Sequence, residues 1–368
     1  MSAPVDSKLM HLTELRIQNL RNIERQELEL ASGLNLFVGA NGAGKTSILE
    51  GAYLLSHGGS FRTHQAEHLQ RRGAEALTLY ARVQTLSMTH QLGLLRQGAR
   101  WVTRLDGNVS AKLVDLFGAC AVTCFEPGSH ALISGAAEGR RSFLDWGVFH
   151  VEHDFALRMQ RYRRALKQRN ALLKQDAADE ELAIWDQELS LAAEPLAAAR
   201  ERYIESFRKV LLSLLSAYLP DLGEPSLRFK PGWERSVPLD RALADCRARD
   251  RALGHTTRGP HRADWALSFA SAPSHEQLSR GQEKLCAIAC TLAQVGLYRS
   301  TRGENPIIAF DDLCSELDAE HQAAALETLV GSGAQILLTG TEIPAALLER
   351  FPAQRMFHVE RGQVRAVL

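Results

Sequence analysis

An apolar run leads directly into a glycine-rich segment in the sequence Leu34-Asn35-Leu36-Phe37-Val38-Gly39-Ala40-Asn41-Gly42-Ala43-Gly44-Lys45-Thr46. Apolar residues then recur at helical spacing, at Ile48, Leu49, Ala52 and Leu55. A G-x-x-x-x-G-K-[ST] loop between a strand and a helix is typical of a phosphate-binding P-loop. The alternative is a glycine-rich turn that matches by accident, but the intact motif in its expected context favours nucleotide binding.

The residue types of this loop fit a triphosphate. Glycines let the backbone approach closely enough for successive N–H groups to point at phosphate oxygens, and the following helix N-terminus adds its dipole. Lys45 supplies a cation for the β- and γ-phosphates, and the Thr46 hydroxyl is placed for Mg²⁺. The expected ATP-binding residues of the loop are Gly39, Ala40, Asn41, Gly42, Ala43, Gly44, Lys45, Thr46 and Ser47.

Composition bounds the class of protein. A chain of 368 residues is long enough for two or three domains. Lys plus Arg and Asp plus Glu both number 43, so any site for a polyanion must be a local patch. No apolar run approaches the roughly 20 residues of a membrane span, and residues 1–9 lack signal-peptide features. We therefore expect a cytoplasmic protein with a flexible extension at residues 1–9.

The six cysteines include no C-x-x-C pair. Cys120 and Cys124 are four residues apart, as are Cys286 and Cys290, and helical spacing would place each pair on one face. Zinc is one explanation of such pairs, and small buried thiols in a reducing compartment are the commoner one. We expect neither disulfides nor a metal cluster.

The hydrophobic pattern changes along the chain. Strand-like alternation through Leu15 and Ile17, then Leu28 and Leu30, continues over residues 77–109, with Asp106-Gly107-Asn108 as a hairpin-type turn. Helical spacing follows from residue 152 to about 218, and Pro195 is expected to begin or kink a helix. Strand-like sequence returns near residues 265–269. We predict an α/β ATPase head, 1–150 and 256–368, with an inserted helical arm, 151–255.

An acidic motif later in the chain indicates that the bound nucleotide is hydrolysed. The run Ile307-Ile308-Ala309-Phe310-Asp311-Asp312 has the form of a Walker B strand, although strands ending in Asp are common. Asp311 is expected to hold Mg²⁺ and Asp312 to orient or deprotonate the attacking water.

Two further segments resemble motifs of ATP-binding-cassette (ABC) ATPases. Leu278-Ser279-Arg280-Gly281-Gln282 resembles their L-S-G-G-Q signature, and Ser315-Glu316-Leu317-Asp318 resembles their D-loop. A helix N-cap and turn is the simpler explanation of the first segment, but all four motifs stand in the family's order. The resemblance implies that Ser279, Gly281 and Gln282 meet ATP on a partner's P-loop, in a homodimer that closes on ATP.

The spacing and four other segments resemble the RecF family in particular. Lys45 and Ser279 are too far apart for a usual transporter domain, and the insert is too short for the coiled coil of an SMC protein. The segments resembling RecF are residues 15–22, 139–145, 166–173 and 257–264. The resemblance implies a mixed-sheet ABC-type head, weak DNA-dependent ATPase activity without nuclease activity, and a nucleoid location. It also implies binding to gapped, double- or single-stranded DNA and RecA loading with RecO- and RecR-type mediators in repair, replication and the SOS response.

Some positions depart from the family pattern or have more than one interpretation. Gly340 occupies the position where transporter ATPases carry a switch His, so hydrolysis is expected to be slow. Glu126-Pro127 is the neighbourhood of the Q-loop. Arg21, at the end of the segment 15–22, is either a phosphate contact or a surface residue at a strand end.

A run of basic residues marks the predicted arm. Arg158, Arg161, Arg163, Arg164, Lys167, Arg169 and Lys174 occur with no acid between Asp154 and Asp176. From charge alone a solvated helix exterior is the commoner explanation, whereas the resemblance favours DNA contacts. The candidate DNA-binding residues are Arg158, Arg161, Arg164, Lys167, Arg140 and Arg141.

Other functions remain as alternatives. A transporter-type ABC ATPase predicts a shorter insert, a switch His and a membrane partner. An SMC-like or nuclease-linked ATPase predicts a long coiled coil or an additional acidic metal site. A structural α/β protein that binds no ATP leaves the four ordered motifs unexplained.

Overall fold

A computed structural model describes residues 10–63, 65–109, 112–152, 154–313 and 319–368. The chain divides into two compact units, Met1–Ser129 with Cys290–Leu368, and His130–Ala289. The second unit contains the predicted arm, 151–255, together with residues on either side of it. The domain boundaries given above stay a prediction.

The strands are numbered β1–β13 and the helices α1–α11 in chain order within the described residues, and both units contain strands and helices. The strands, in chain order, are His11–Leu20, Ile23–Glu29, Leu34–Val38, Leu77–Gln84, Thr89–Gln97, Arg100–Leu105, Val122–Phe125, Pro225–Lys230, Asp264–Phe269, Ile307–Phe310, Ile336–Gly340, Arg355–Glu360 and Gln363–Ala366. The helices are Lys45–His57, Leu113–Ala119, Ala131–Ser134, Ala137–Val151, Phe155–Lys174, Asp179–Tyr218, Leu239–Asp245, Arg247–Leu253, Arg280–Arg302, Ala319–Gly331 and Ala345–Arg350. Within the described ranges, no helix is long and apolar enough to cross a membrane.

The first unit contains two sheets. One is antiparallel, in the order β2-β1-β4-β5-β6, and its alternating buried residues include Leu15 and Ile17. The predicted turn at residues 106–108 is confirmed, because Leu105 and Asn108 exchange backbone hydrogen bonds across it. The other sheet has the order β13-β12-β3-β11-β10-β7, and its strands β12, β3, β11, β10 and β7 run parallel. Parallel strands buried on both faces read as continuous apolar runs, which explains Leu34–Val38 and Ile307–Phe310.

The second unit is mostly helical, with a two-stranded sheet formed by β8 and β9. Its longest helix, α6, runs through Pro195, so the expectation that Pro195 begins a helix was wrong, and a kink at Pro195 stays a prediction. Side chains on both sides of the proline hold the helix together. Leu189 and Leu196 are fully buried, and Arg235 donates to Glu194 and Glu201 across Pro195, at 2.6 and 3.0 Å.

A buried ion-pair network fixes the second unit. The Arg169 guanidinium donates to Asp186 Oδ1 at 2.6 Å, to Asp250 Oδ2 at 2.7 Å and to Thr256 Oγ1 at 2.8 Å, and it has no exposed surface. Asn170 Oδ1 accepts from both the backbone and the hydroxyl of Thr256. Asp250 also accepts from the backbone and the hydroxyl of Thr257, so Asp250 links the segments 166–173 and 257–264, which resemble RecF in sequence. Arg169 is a core residue and not part of an exposed basic stripe.

We expect Arg169→Ala to lower the free energy of unfolding by about 3–5 kcal/mol, because it leaves two buried carboxylates without their shared cation. Arg163→Ala is the matched control, since Arg163 is exposed on the same helix and surface substitutions usually change stability by less than about 0.5 kcal/mol. Urea unfolding followed by circular dichroism measures both. Equal destabilisation by the two substitutions would contradict the structural role of Arg169.

Candidate functional site

A cavity of about 520 Å³ in the first unit brings the predicted nucleotide motifs together. Its walls come from the P-loop, from the acids that follow β10 and from the ends of β1 and β7. The lining residues are Arg21, Asn22, Asn41, Gly42, Gly44, Lys45, Thr46, Ser47, Arg62, Glu126, Pro127, Asp311 and Asp312. The predicted P-loop, Walker B acids, Arg21 and Q-loop neighbourhood thus line one cavity.

The P-loop connects β3 to α1 as the sequence predicts. A Cβ atom on Gly39 would lie 2.1 Å from the carbonyl oxygen of Val359, so the close approach of these two backbones excludes any side chain there. Lys45 Nζ donates to the carbonyl oxygens of Gly39 and Ala40, at 2.7 and 3.1 Å. Burial lowers the pKa of Lys45, and the carboxylates of Asp312 and Asp311 oppose this effect. The ammonium group is therefore held inside the P-loop, where it is expected to bind phosphate.

Asp311 is bound by two threonine hydroxyls. Thr46 Oγ1 donates to the carboxylate, with distances of 3.0 and 2.9 Å to its two oxygens, and Thr339 Oγ1 donates to Oδ1 at 2.7 Å. Burial raises the pKa of Asp311, while the hydrogen bonds from Thr339 and Thr46 act in the opposite direction. A hydroxyl and a carboxylate oxygen at this separation are the hard ligands that Mg²⁺ prefers.

Asp312 has an unusual backbone conformation. Its φ is 55°, in the left-handed region that non-glycine residues rarely adopt, and such strain is concentrated at functional sites. Its backbone N–H donates to Thr339 Oγ1 at 2.9 Å. The same hydroxyl therefore positions both acids, because it accepts from one residue and donates to the other.

Arg21 is held in place by an ion pair with a buried glutamate. Its guanidinium donates to both carboxylate oxygens of Glu50, at 2.9 and 2.7 Å, and to the carbonyl oxygen of His68 at 2.7 Å. Glu50 is fully buried and also accepts from the Ser60 hydroxyl. The hydrogen bond with Glu50 raises the pKa of Arg21. The ion pair with Glu50 fixes the position of the guanidinium and of its remaining N–H groups. A phosphate contact by Arg21 stays a prediction.

Sequence reasoning missed several residues of this site. Asn22 Nδ2 donates to the carbonyl oxygen of Gly42 at 3.1 Å and supports the P-loop. Arg62 lines the cavity, and no local pattern signals it. Thr339 precedes the glycine at the switch position, but its hydroxyl has a recognisable role only when β11 is placed between β3 and β10.

The signature segment belongs to the second unit. Ser279 Oγ accepts from the N–H of Gln282 at 3.3 Å, and Gln282 Oε1 accepts from the N–H of Ser279 at 2.8 Å. This reciprocal pair is a capping box at the start of α9, so the N-cap explanation of the segment is correct as far as local structure goes. Ser279 and Gly281 are exposed. The predicted D-loop, residues 315–318, lies outside the described residues.

The candidate DNA-binding residues differ in how they are paired. Arg140 is bound to Asp264, at 2.7 and 3.1 Å, and to two carbonyl oxygens, and Arg141 donates to the carbonyl oxygen of Ala263. Arg140 is thus used in the packing of its own unit.

The other four candidates lie in α5, where Arg158 is half-buried and Arg161, Arg164 and Lys167 are exposed. Arg161 forms a bidentate pair with Glu188, and Arg158 lies 3.8 Å from Asp154. Arg164 and Lys167 are exposed, and neither has a carboxylate within 4 Å in the described ranges.

The cysteine pairs do not resemble a metal site. Cys120 follows α2 whereas Cys124 lies in β7, so the expectation of a shared helical face was wrong for this pair. Cys286 and Cys290 are both buried in α9. Burial raises the pKa of Cys120 and of Cys286 to about 12, so both thiols are neutral at physiological pH.

Comparisons with known proteins agree with the motifs. A family model described as an AAA domain matches residues 14–54. The DNA replication and repair protein RecF of Stenotrophomonas maltophilia (strain R551-3) is 49% identical over 364 residues, which cover 97% of this chain and 100% of that protein. The protein of the same name from Shewanella amazonensis (strain ATCC BAA-1098 / SB2B) is 38% identical over 358 residues, covering 96% and 99%.

Solved structures confirm the predicted fold class. A structure of the recombination mediator protein RecF with ATP, from the RecFOR pathway, matches with a TM-score of 0.90 and 23% identity, covering 100% of both chains. The Smc head domain of Pyrococcus furiosus matches with a TM-score of 0.56 and 14% identity, covering 98% of this chain and 96% of that one. The fold is therefore an ABC-type ATPase head with an inserted helical lobe.

We expect Thr339→Val to weaken Mg²⁺-dependent nucleotide binding by roughly 10- to 100-fold, since a buried hydrogen bond to a charged group contributes about 1.5–3 kcal/mol. Valine keeps the shape of threonine but removes the hydroxyl that positions both acids. Thr341→Val is the control, because Thr341 is exposed two residues further on. Titration of a fluorescent ATP analogue, with Mg²⁺ and with EDTA, gives the affinities. Wild-type affinity in Thr339→Val would refute this role.

Proposed function

The chain belongs to the RecF family of DNA replication and repair proteins, and from that membership we propose that it is an ATP-dependent DNA-binding protein of recombinational repair. The observation that carries the proposal is identity of 49% to a RecF protein over 97% of this chain. In the proposed role it binds DNA at single-strand gaps and helps RecO- and RecR-type mediators to load RecA. This activity would support repair, replication and the SOS response on chromosomal DNA.

The cavity of the first unit is the proposed ATP site. The backbone N–H groups of residues 39–47 bind the phosphates, and Lys45 exchanges its two loop carbonyls for phosphate oxygens. Thr46 and Asp311 would hold Mg²⁺, which neutralises charge that develops on the phosphates. Arg62 adds a second cation, because it is exposed at the cavity wall.

Asp312 is the proposed catalytic residue. Its position beside Asp311 and its fixed backbone suit a group that orients the attacking water. Gly340 contributes no side chain that could polarise the γ-phosphate. We therefore propose weak, DNA-dependent hydrolysis that times the release of DNA, and the proposal includes no nuclease activity.

ATP is proposed to join two protomers. The exposed start of α9, with Ser279, Gly281 and Gln282, would meet the γ-phosphate bound on the P-loop of a second copy. The capping box supports this role because it fixes the backbone of the segment in a single protomer. Closure of the dimer on ATP would then create the DNA-binding state.

Gly281→Arg tests the dimer. A Cβ at Gly281 meets only the Ser279 hydroxyl, at 3.9 Å, so arginine fits a single protomer but would fill the space proposed for the partner's phosphate. We expect unchanged ATP affinity and loss of the ATP-induced dimer in sedimentation equilibrium. Gly139→Arg is the matched control, because Gly139 also lies in the first turn of a helix with nothing within 4 Å of its Cβ position. A dimer that forms equally well with Gly281→Arg would overturn the sandwich arrangement.

DNA is proposed to contact the basic residues of α5, with Arg164 and Lys167 as the principal contacts. Both are exposed and neither has a carboxylate within 4 Å in the described part of the chain, whereas Arg161 is paired with Glu188. Contacts of this kind bind phosphates independently of sequence and depend strongly on salt.

Replacing Arg164 and Lys167 together by alanine should weaken duplex binding and reduce the slope of log affinity against log salt by about 1.8, which corresponds to two phosphate contacts. The matched control replaces Lys209 and Arg241, two exposed cations of the same unit outside the α5 group. Fluorescence anisotropy over a salt series measures the slopes. Identical slopes for both double variants would assign the α5 cations to a solvated helix exterior.

The transporter-type alternative shares the fold but gives no reason for gapped DNA to stimulate ATP hydrolysis. A turnover assay with and without gapped DNA therefore separates this alternative from the proposed function. The SMC-like alternative predicts a long coiled coil, for which the insert is too short.

A further inference from the structure

A second large cavity, of about 670 Å³, lies within the second unit. It is formed by the end of β8, the loop that follows it, helix α8 and the loop before β9. Five cations line it: Arg228, Lys230, Arg249, Arg258 and Arg262. None of the α5 cations lies among its lining residues, so the cavity is separate from the surface discussed above.

The lining of this cavity carries positive charge without negative charge. No acidic residue lines it, and Arg228, Lys230, Arg249 and Arg258 have no carboxylate within 4 Å in the ranges that the structure describes. The nearby acids are used elsewhere. Asp264, opposite Lys230 in the β8–β9 pair, binds Arg140, and Asp250 binds Arg169.

Other arginines of the same unit are paired, as Arg200 is with Asp145 and Arg251 with Asp179. Unpaired cations around a concave surface repel one another and raise the local concentration of anions. The charge of the cavity is therefore complementary to a polyanion.

The walls of the cavity are held in place by close backbone packing. Gly232 has a φ of +99°, and a Cβ there would lie 2.1 Å from the carbonyl oxygen of Gly259, so only glycine allows the two loops to meet. The N–H of Gly259 donates to the carbonyl oxygen of Gly232 at 3.2 Å. Behind this contact, Arg200 donates to the carbonyl oxygen of Pro260 at 2.6 Å. The cations therefore project from a rigid frame.

Aromatic groups complete the lining. Phe229 lines the cavity at the end of β8 and is half-buried, and the exposed Arg228 and Lys230 are its neighbours in the sequence. Trp233 is buried and the guanidinium of Arg235 lies over its ring at 4.5 Å, so Trp233 forms part of the wall and Phe229 is the aromatic side chain that could stack on a base. Cations that follow a backbone and an aromatic face that stacks a base are the common elements of single-strand binding sites. The cavity volume suits one or two nucleotides and is too small to admit a duplex.

We propose that this cavity binds a short stretch of single-stranded nucleic acid, with phosphates on Arg228 and Arg258 and a base against Phe229. The inference rests on the proposed function, since it assigns the single strand of a gapped substrate to a binding site separate from that of the duplex. The duplex contacts of α5 and the single-strand contacts of this cavity would then be made by different residues of one unit.

The test uses the full chain and anisotropy of a labelled oligothymidylate of about 15 nucleotides, beside a duplex of the same length. Replacing Arg228 and Arg258 by alanine should lower single-strand affinity about tenfold or more and reduce its salt slope by about 1.4, with little change for duplex. Replacing both by lysine should retain the slope. Phe229→Ala should lower single-strand affinity without changing the slope, because it removes stacking and no charge.

The control variant with alanine at Lys209 and Arg241 removes the same charge from outside the cavity. Single-strand binding that is equal in this control and in the Arg228 and Arg258 variant would overturn the inference while leaving the proposed function intact. Failure of the wild-type protein to bind either DNA would instead overturn the proposed function. If replacing Arg228 and Arg258 by alanine abolished binding to polyglutamate but left binding to the oligothymidylate unchanged, the ligand would be an acidic protein segment. That result would refute the nucleic-acid assignment.

Discussion

The parallel pairing of β3, β11 and β10 is the constraint on which the candidate site depends. Because all three strands end at the same edge of the sheet, the P-loop, Thr339 and the two acids after Phe310 meet there. The middle strand carries the hydroxyl that reaches Asp311 at 2.7 Å and Asp312 at 2.9 Å. A shift of register by one residue would turn that hydroxyl to the other face and separate the acids from their common partner.

The parts of the site that could be predicted from the sequence are those encoded by neighbouring residues. The P-loop and the acids after β10 each follow an apolar run that predicts a strand. The glycines of the loop and the two aspartates stand directly after these runs, so each motif can be located from a short segment. Arg62 and Thr339 have no such context, because their importance arises from contacts between distant segments. Pro195 illustrates the same limit, since the ion pairs of Arg235 that span it come from a separate part of the chain.

The arginines have two different roles that the sequence does not separate. Arg169 and Arg164 lie on one helix and look alike in a charge pattern, yet one has no exposed surface and the other lies in solvent. The difference depends on where Asp186 and Asp250 are placed by folding. Arg140, in a segment matched to RecF, is likewise occupied by Asp264. Family resemblance located segments that matter, and only the contacts distinguish residues that hold the unit together from residues available to a ligand.

The cap at the start of α9 has a consequence for hydrogen-bond polarity. The oxygen of Ser279 receives the N–H of Gln282, and a hydroxyl that accepts still carries its own proton. The first turn of α9 therefore offers the hydroxyl proton of Ser279 beside the main-chain N–H groups of the helix N-terminus. A negatively charged oxygen can accept hydrogen bonds from these groups, whereas a ligand group that can only donate cannot.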